Sequence, residues 1–186
     1  MIGAKNVIFG FFFLAFTAAL GPYMIVKLMP DTEKAAQQRQ KAMAELQVLA
    51  SNDFERDLEP VSAETLGRLN TRGLLALNRF LQQRALVDAV KAGPHAHGNL
   101  EALLNIAVGV VLAFLALPAW FKQLISWCFL LGALFHAGML YLSVVFGLGW
   151  AGTLLGTGIG PVLILLGLVL AGVGAAWGWR PRQGSM

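Results

Sequence analysis

Four long apolar runs divide this sequence, and each one is long enough to cross a lipid bilayer as a helix. A helix needs about 20 apolar residues to span the hydrocarbon core. The runs lack the alternation of a transmembrane barrel, and the first is longer than the apolar core of a signal peptide. They cover residues 6–28, 98–117, 122–146 and 152–178. We therefore predict an all-α integral membrane protein, built as a four-helix bundle.

The charged residues are unevenly distributed along the chain. They make up 13% of the 186 residues, and residues 31–91 hold nine acidic and nine basic side chains. The remaining charges are one acid, Glu101, and five basic residues: Lys5, Lys27, Lys122, Arg180 and Arg182. Because basic residues collect on the cytoplasmic side, we predict an inner-membrane protein with both termini in the cytoplasm. No basic patch interleaved with aromatic residues is present, so no nucleic-acid partner is expected.

The segment between the first two runs is predicted to form two helices outside the membrane. Asp31 begins a helix that reaches about Ala50, and Ser62 caps a second helix that reaches about Ala92. Gly93-Pro94 is expected to end that second helix. This extracytoplasmic hairpin would cover the outer end of the bundle or contact a neighbouring protomer, and we expect a homo-oligomer.

These predictions divide the chain into four segments. Residues 1–30 form the first transmembrane helix, 31–94 the extracytoplasmic segment, 95–180 the other three transmembrane helices, and 181–186 a tail that resembles a cloning remnant. In the last run, glycines recur every four residues, so they lie on one helical face and favour close contact with another helix. These are Gly152, Gly156 and Gly160, and Gly160-Pro161 favours a kink.

A polar stripe opens the second apolar run. Within "PHAHGNLEALLN", residues 94–105, His97, Glu101 and Asn105 are spaced by four and lie on one helical face. A charge within a span costs about 2.5–3.5 kcal/mol at mid-membrane and usually marks a functional site. Counting from the expected helix ends, Tyr141 lies at the depth of Glu101, and His136 lies slightly below Asn105. We predict that these side chains surround one polar cavity.

Three kinds of ligand suit this set of side chains. Zinc or copper would use His97 with His95, but these two point in different directions unless the helix entry is unwound. Haem iron needs one imidazole, and the expected depths separate His97 and His136 by about 12 Å, which disfavours a bis-histidine haem. A quinone headgroup would accept hydrogen bonds from the same polar side chains.

The chain also resembles a known family over roughly residues 96–178. The stretches "AHGNLEALLNIAVGVVLAFLALP", "AWFKQ" and "LFHAGMLYLSVVFGLGW" resemble the layout of styrene oxide isomerases, which are small four-span membrane proteins. The resemblance implies an oligomer that binds haem b through His97, with Asn105 and Tyr141 orienting an epoxide. Ferric iron would act as a Lewis acid, and ring opening with a hydride shift would give an aldehyde. Glu101 and the 31–94 segment are additions to that layout.

The sequence thus favours a haem b-binding membrane protein that acts on a small apolar substrate as an isomerase. In this hypothesis His97 binds the iron, with His95 as a further metal ligand, while Glu101 and His136 complete the cofactor site. A non-catalytic membrane subunit or a quinone-binding protein of a larger complex is the first alternative. A proton- or ion-conducting bundle with Glu101 as the relay group is the second.

Overall fold

The computed structural model describes residues 2–179, and most of these are helical. The predicted tail at 181–186 and the arginines at 180 and 182 lie outside the described residues. In chain order the elements are α1 (Ala4–Ala18), α2 (Leu20–Tyr23), π1 (Met24–Leu28), α3 (Met29–Ser51), β1 (Glu55–Arg56), β2 (Glu59–Pro60), α4 (Ala63–Val90), π2 (Lys91–His95), α5 (Ala96–Phe114), α6 (Ala119–Ala133), π3 (Leu134–Gly138), π4 (Tyr141–Val145), α7 (Gly149–Leu155) and α8 (Ile159–Gly178).

Four continuous helical stretches are long and apolar enough to cross a membrane. They run over Ala4–Ser51, Ala63–Phe114, Ala119–Val145 and Ile159–Gly178. The first two are much longer than the roughly 20 residues that span a bilayer, so only a part of each can lie in lipid. Four long apolar helices confirm the predicted number of spans and indicate a multi-pass membrane protein.

The described chain divides into two compact units. The first unit contains the residues as far as Gly21 and those from Ala89 onward, and the second contains Pro22–Asp88. In the second unit, α3 and α4 are joined by a two-stranded turn in which Glu55 pairs with Pro60. The two helices contact each other: the Arg39 guanidinium lies 4.2 Å from the centre of the Phe80 ring. Residues 31–94 are thus mostly helical, but α3 and α4 are continuous with the first two long apolar helices.

Two predicted features of the helices are wrong. Gly93-Pro94 does not end a helix, because the chain continues through π2 into α5. Local π-helical winding lets other groups satisfy the backbone that a proline leaves unpaired. Conversely, residues 152–178 are not one helix, since α7 ends at Leu155 and Gly158 adopts a φ of 70° before α8 begins. The three predicted glycines therefore do not share one continuous helical face.

Small residues set how closely the helices of the first unit approach. A Cβ on Gly3 would lie 2.0 Å from the carbonyl oxygen of Gly109, so α1 and α5 meet backbone to backbone. Gly160, at the start of α8, packs against π3. A Cβ on Gly160 would lie 2.5 Å from the backbone nitrogen of His136. An apolar core fills the space between α5, α6 and α8, and it comprises Val108, Leu112, Leu115, Phe121, Ile125, Phe129 and Ile164.

Candidate metal centre

Three ligand-type side chains converge between α5 and the third long helix. His97 and Glu101 lie one turn apart on α5, and His136 lies in π3. Their donor atoms all lie within 4.8 Å of one another. The centres of the two imidazole rings are 4.8 Å apart, and the ring planes are inclined at 65°. We call these three residues the histidine–glutamate cluster.

Glu101 holds the cluster together. This residue is 3% exposed, and one carboxylate oxygen forms a hydrogen bond with Nδ1 of His136. The other oxygen accepts a hydrogen bond from the backbone N–H of Ala137 at 3.3 Å. An ionised Glu101 accepts this hydrogen bond, so a neutral His136 would carry its proton on Nδ1 and keep a lone pair on Nε2. The His136 ring is thus oriented with one nitrogen available to a ligand.

His97 is the exposed member of the cluster. Its side chain is exposed, while Glu101 is buried and His136 is partly buried. Among the side-chain hydrogen bonds found in residues 2–179, none involves the His97 ring. A neutral imidazole with no hydrogen-bond partner can offer either ring nitrogen to a metal ion. The cluster therefore has one fixed imidazole and one imidazole that is free to adjust.

The local fold explains why His136 reaches the cluster. The π-helical winding of Leu134–Gly138 changes the direction in which His136 points, and Gly160 lets α8 close behind it. The predicted 12 Å separation of His97 and His136 is wrong, since the two rings are neighbours. The predicted depths were based on residue counts from assumed helix ends. In the structure, the helix continues upstream of α5, and two π segments change the winding of the third long helix.

His95 lies outside the histidine–glutamate cluster. Its Nδ1 is 3.0 Å from the carbonyl oxygen of Thr17, to which it donates. The Thr17 hydroxyl in turn donates to the side-chain oxygen of Asn99 at 2.7 Å. Although only Ala96 separates His95 from His97, the structure directs the first imidazole towards α1. The joint chelation considered from the sequence is not the arrangement that the structure shows.

Tyr141 also lies away from the cluster. It lines an apolar hollow of about 280 Å³ between α1 and the third long helix, together with Phe13, Phe16 and Phe146. The ring centres of Tyr141 and Phe146 are 5.8 Å apart. No member of the histidine–glutamate cluster lines this hollow. The structure therefore does not bring Tyr141 and His97 into one cavity.

Asn105 belongs to a second polar set, which joins three helices. Its side-chain nitrogen donates to the carbonyl oxygens of Glu101 at 3.0 Å and Phe129 at 3.2 Å. Its side-chain oxygen accepts from the Asn6 amide at 3.0 Å, and the Ser126 hydroxyl donates to the oxygen of Asn6. We call Asn6, Asn105 and Ser126 the amide network. The sequence analysis overlooked Asn6 and Ser126, although each is a polar residue within an apolar run.

The histidine–glutamate cluster has the composition of a transition-metal site. Two imidazoles and one carboxylate are a common ligand set for catalytic zinc and for non-haem iron, and both leave positions open for water or substrate. Rings whose centres are 4.8 Å apart leave no room for a porphyrin between them, so they cannot be the two axial ligands of one haem. His97 alone, exposed and without a hydrogen bond, remains suitable as a single axial ligand.

Comparison with known proteins identifies no relative of this chain. No protein-family model, no curated protein and no solved structure matches the chain. The helices and the cluster define a multi-pass membrane protein with a candidate metal centre.

Proposed function

We propose that this chain is a membrane metalloprotein in which His97, Glu101 and His136 hold a transition-metal ion with at least one open coordination position. The observation that carries the proposal is the convergence of three donor side chains from two neighbouring helices within 4.8 Å. A buried carboxylate within an apolar helix, such as Glu101, is costly and usually marks a functional site. Zinc and iron both accept this ligand set.

We place the chain in the inner membrane as a four-helix bundle with both termini in the cytoplasm and residues 31–94 outside. The distribution of lysines supports this orientation. Four tryptophans near the ends of the apolar helices, as an aromatic belt requires, are more than half exposed: Trp120, Trp150, Trp177 and Trp179. The histidine–glutamate cluster then lies in the outer half of the bundle, near the membrane surface.

An open metal position in apolar surroundings suits Lewis-acid chemistry on a small apolar substrate. A metal ion polarises a bound oxygen atom, and a site that excludes water limits competing hydrolysis. Glu101 would keep the His136 ring oriented, and the exposed His97 ring would border the entrance. The resemblance to styrene oxide isomerases suggests that the reaction is the isomerisation of an epoxide.

Haem b is the second candidate for the metal. The observation that favours it is that His97 is exposed and has no hydrogen-bond partner, so a flat group could bind on its outer side. Haem iron would supply the Lewis acidity when bound. In that case His97 would be its axial ligand, while Glu101 and His136 would provide polar groups beside it. A neighbouring protomer would be needed to cover the other face of the haem.

The test is the metal content of the detergent-purified protein, with an absorption spectrum of the same sample. We expect about one metal ion per chain in the wild type and in His95→Ala, the matched control from the same helical stretch. His97→Ala and His136→Ala should lose the metal. A Soret band that disappears in His97→Ala would assign haem, and bound zinc or iron without that band would assign the three-residue site. A wild-type protein without metal, from cells supplied with haem, zinc and iron, would contradict the proposal.

A further inference from the structure

Two lysines lie at the end of the first unit opposite to the histidine–glutamate cluster. Lys5, in the first turn of α1, donates a hydrogen bond to the side-chain oxygen of Gln123 at 2.7 Å. Its ammonium group also lies 4.0 Å from the centre of the Trp127 ring. Lys122, beside Gln123 at the start of α6, is partly buried. The two helices thus bring two positive charges to one end of the unit.

Lys122 borders a hollow of about 340 Å³ between α1 and α5. Apart from this lysine, its lining consists of apolar and glycine residues, among them Gly3, Val7, Gly109 and Phe114. The hollow adjoins the place where the backbones of Gly3 and Gly109 are in contact. An apolar hollow bordered by an ammonium group is complementary to an amphipathic ligand with an anionic headgroup.

Within residues 2–179, no carboxylate forms a salt bridge with either lysine. In the described part of the first unit the one acidic residue is Glu101, and it lies 13 residues before Phe114 on α5. At 1.5 Å per residue this is about 20 Å along the helix, beyond the range of strong pairing. Unpaired ammonium groups at the boundary of an apolar region attract anionic headgroups from the surrounding membrane.

We propose that this end of the protein binds an anionic phospholipid, with one acyl chain in the hollow and the phosphate beside Lys122. Lys5, held by Gln123 and Trp127, adds its positive charge to the same headgroup region. Basic pockets between transmembrane helices on the cytoplasmic side bind such headgroups by the same chemistry. The inference rests on the proposed position of the helices in the membrane, and it does not depend on the metal centre.

The experiment measures lipid retention by native mass spectrometry after incubation with equal amounts of phosphatidylglycerol and phosphatidylcholine. We expect the wild type to retain phosphatidylglycerol preferentially, and Lys122→Gln to bind it about five-fold more weakly. Lys91→Gln removes the same charge at the other end of the apolar helices and should leave retention unchanged. Equal retention of both lipids by the wild type, or equal losses in the two variants, would overturn the proposal.

A second variant tests the acyl chain separately from the charge. Val110→Trp fills the hollow from an exposed position and should lower lipid retention while both lysines remain. An excess of inorganic phosphate should not displace the lipid, since the acyl chain contributes to its binding. Unchanged retention in Val110→Trp, or displacement by phosphate alone, would overturn the assignment of the hollow. Metal content measured on the same samples separates a failure of this inference from a failure of the proposed metal site. If the wild type stays in solution without detergent, the proposed location in the membrane is wrong.

Discussion

The histidine–glutamate cluster and the amide network are two polar sets on the same helix, and they differ in how much of their bonding capacity is used. Glu101 belongs to the first set and Asn105, one turn further along α5, belongs to the second. In the amide network all three side chains are 0% exposed, and both side-chain atoms of Asn105 have partners. In the histidine–glutamate cluster, no hydrogen-bond partner within residues 2–179 is found for Nε2 of His136 or for the His97 ring.

This difference separates a structural role from a ligand-binding role. A buried polar group that satisfies its neighbours fixes the register of helices and has nothing to offer a ligand. An imidazole that is not buried and has a ring nitrogen without a partner keeps a lone pair that a ligand can use. On this basis the amide network joins α1, α5 and α6, whereas the histidine–glutamate cluster keeps the unshared lone pairs that the proposed metal site requires. The following variants test that division, beginning with the largest expected effect.

His97→Ala should abolish metal binding without weakening the fold. Removing a ligand should lower metal affinity by more than the roughly 10- to 100-fold expected for an orienting partner. The free energy of unfolding should change little, because His97 is exposed and its ring has no hydrogen bond. Zinc or iron titration, followed by calorimetry, measures the first effect, and denaturant unfolding measures the second. Full metal affinity in His97→Ala would remove this residue from the site.

Asn105→Ala should show the opposite pattern. The substitution removes three hydrogen bonds of a fully buried side chain, one from the Asn6 amide and two to backbone carbonyls, so we expect the free energy of unfolding to fall by about 2–3 kcal/mol. Metal affinity should stay within about three-fold of the wild type, since Asn105 offers no free atom to a ligand. Unchanged stability together with lost metal binding would return Asn105 to the site, as the sequence suggested.

Glu101→Gln distinguishes a metal ligand from a residue that orients one. The amide keeps the size of the side chain but weakens the hydrogen bond that fixes His136. If Glu101 acts through His136, metal affinity should fall by about 10- to 100-fold. A loss as large as that in His136→Ala would instead make Glu101 a direct ligand. The two variants should be titrated with the same metal under the same conditions.

Ser126→Ala should give the smallest effect. It removes one hydrogen bond to the oxygen of Asn6, while the Asn6 amide still donates to Asn105 and to the carbonyl oxygen of residue 126. We expect a loss of about 1 kcal/mol in the free energy of unfolding, with metal binding unchanged. A much larger loss would show that the amide network acts as a single unit rather than as separate bonds.

The sequence predicted part of the candidate site because helical spacing is a local property. Two side chains four residues apart share a helical face, so His97 and Glu101 could be paired without any structure. The partner from the third long helix could not be chosen in the same way. Tyr141 was expected at the depth of Glu101 and His136 slightly below Asn105, but the structure brings His136 to Glu101, and Tyr141 lies in an apolar hollow.

What the sequence determined by itself was the number of membrane-crossing helices, since apolar length is read directly along the chain and the bilayer has a fixed thickness. The tertiary structure alone decided which polar residues meet. That choice depends on the register between helices, which is set by the π-helical segments around His95 and His136 and by the backbone contacts of Gly3 and Gly160. A shift of one residue turns a helical side chain by about 100°, so small changes in winding determine whether an imidazole binds an ion or lies against another helix.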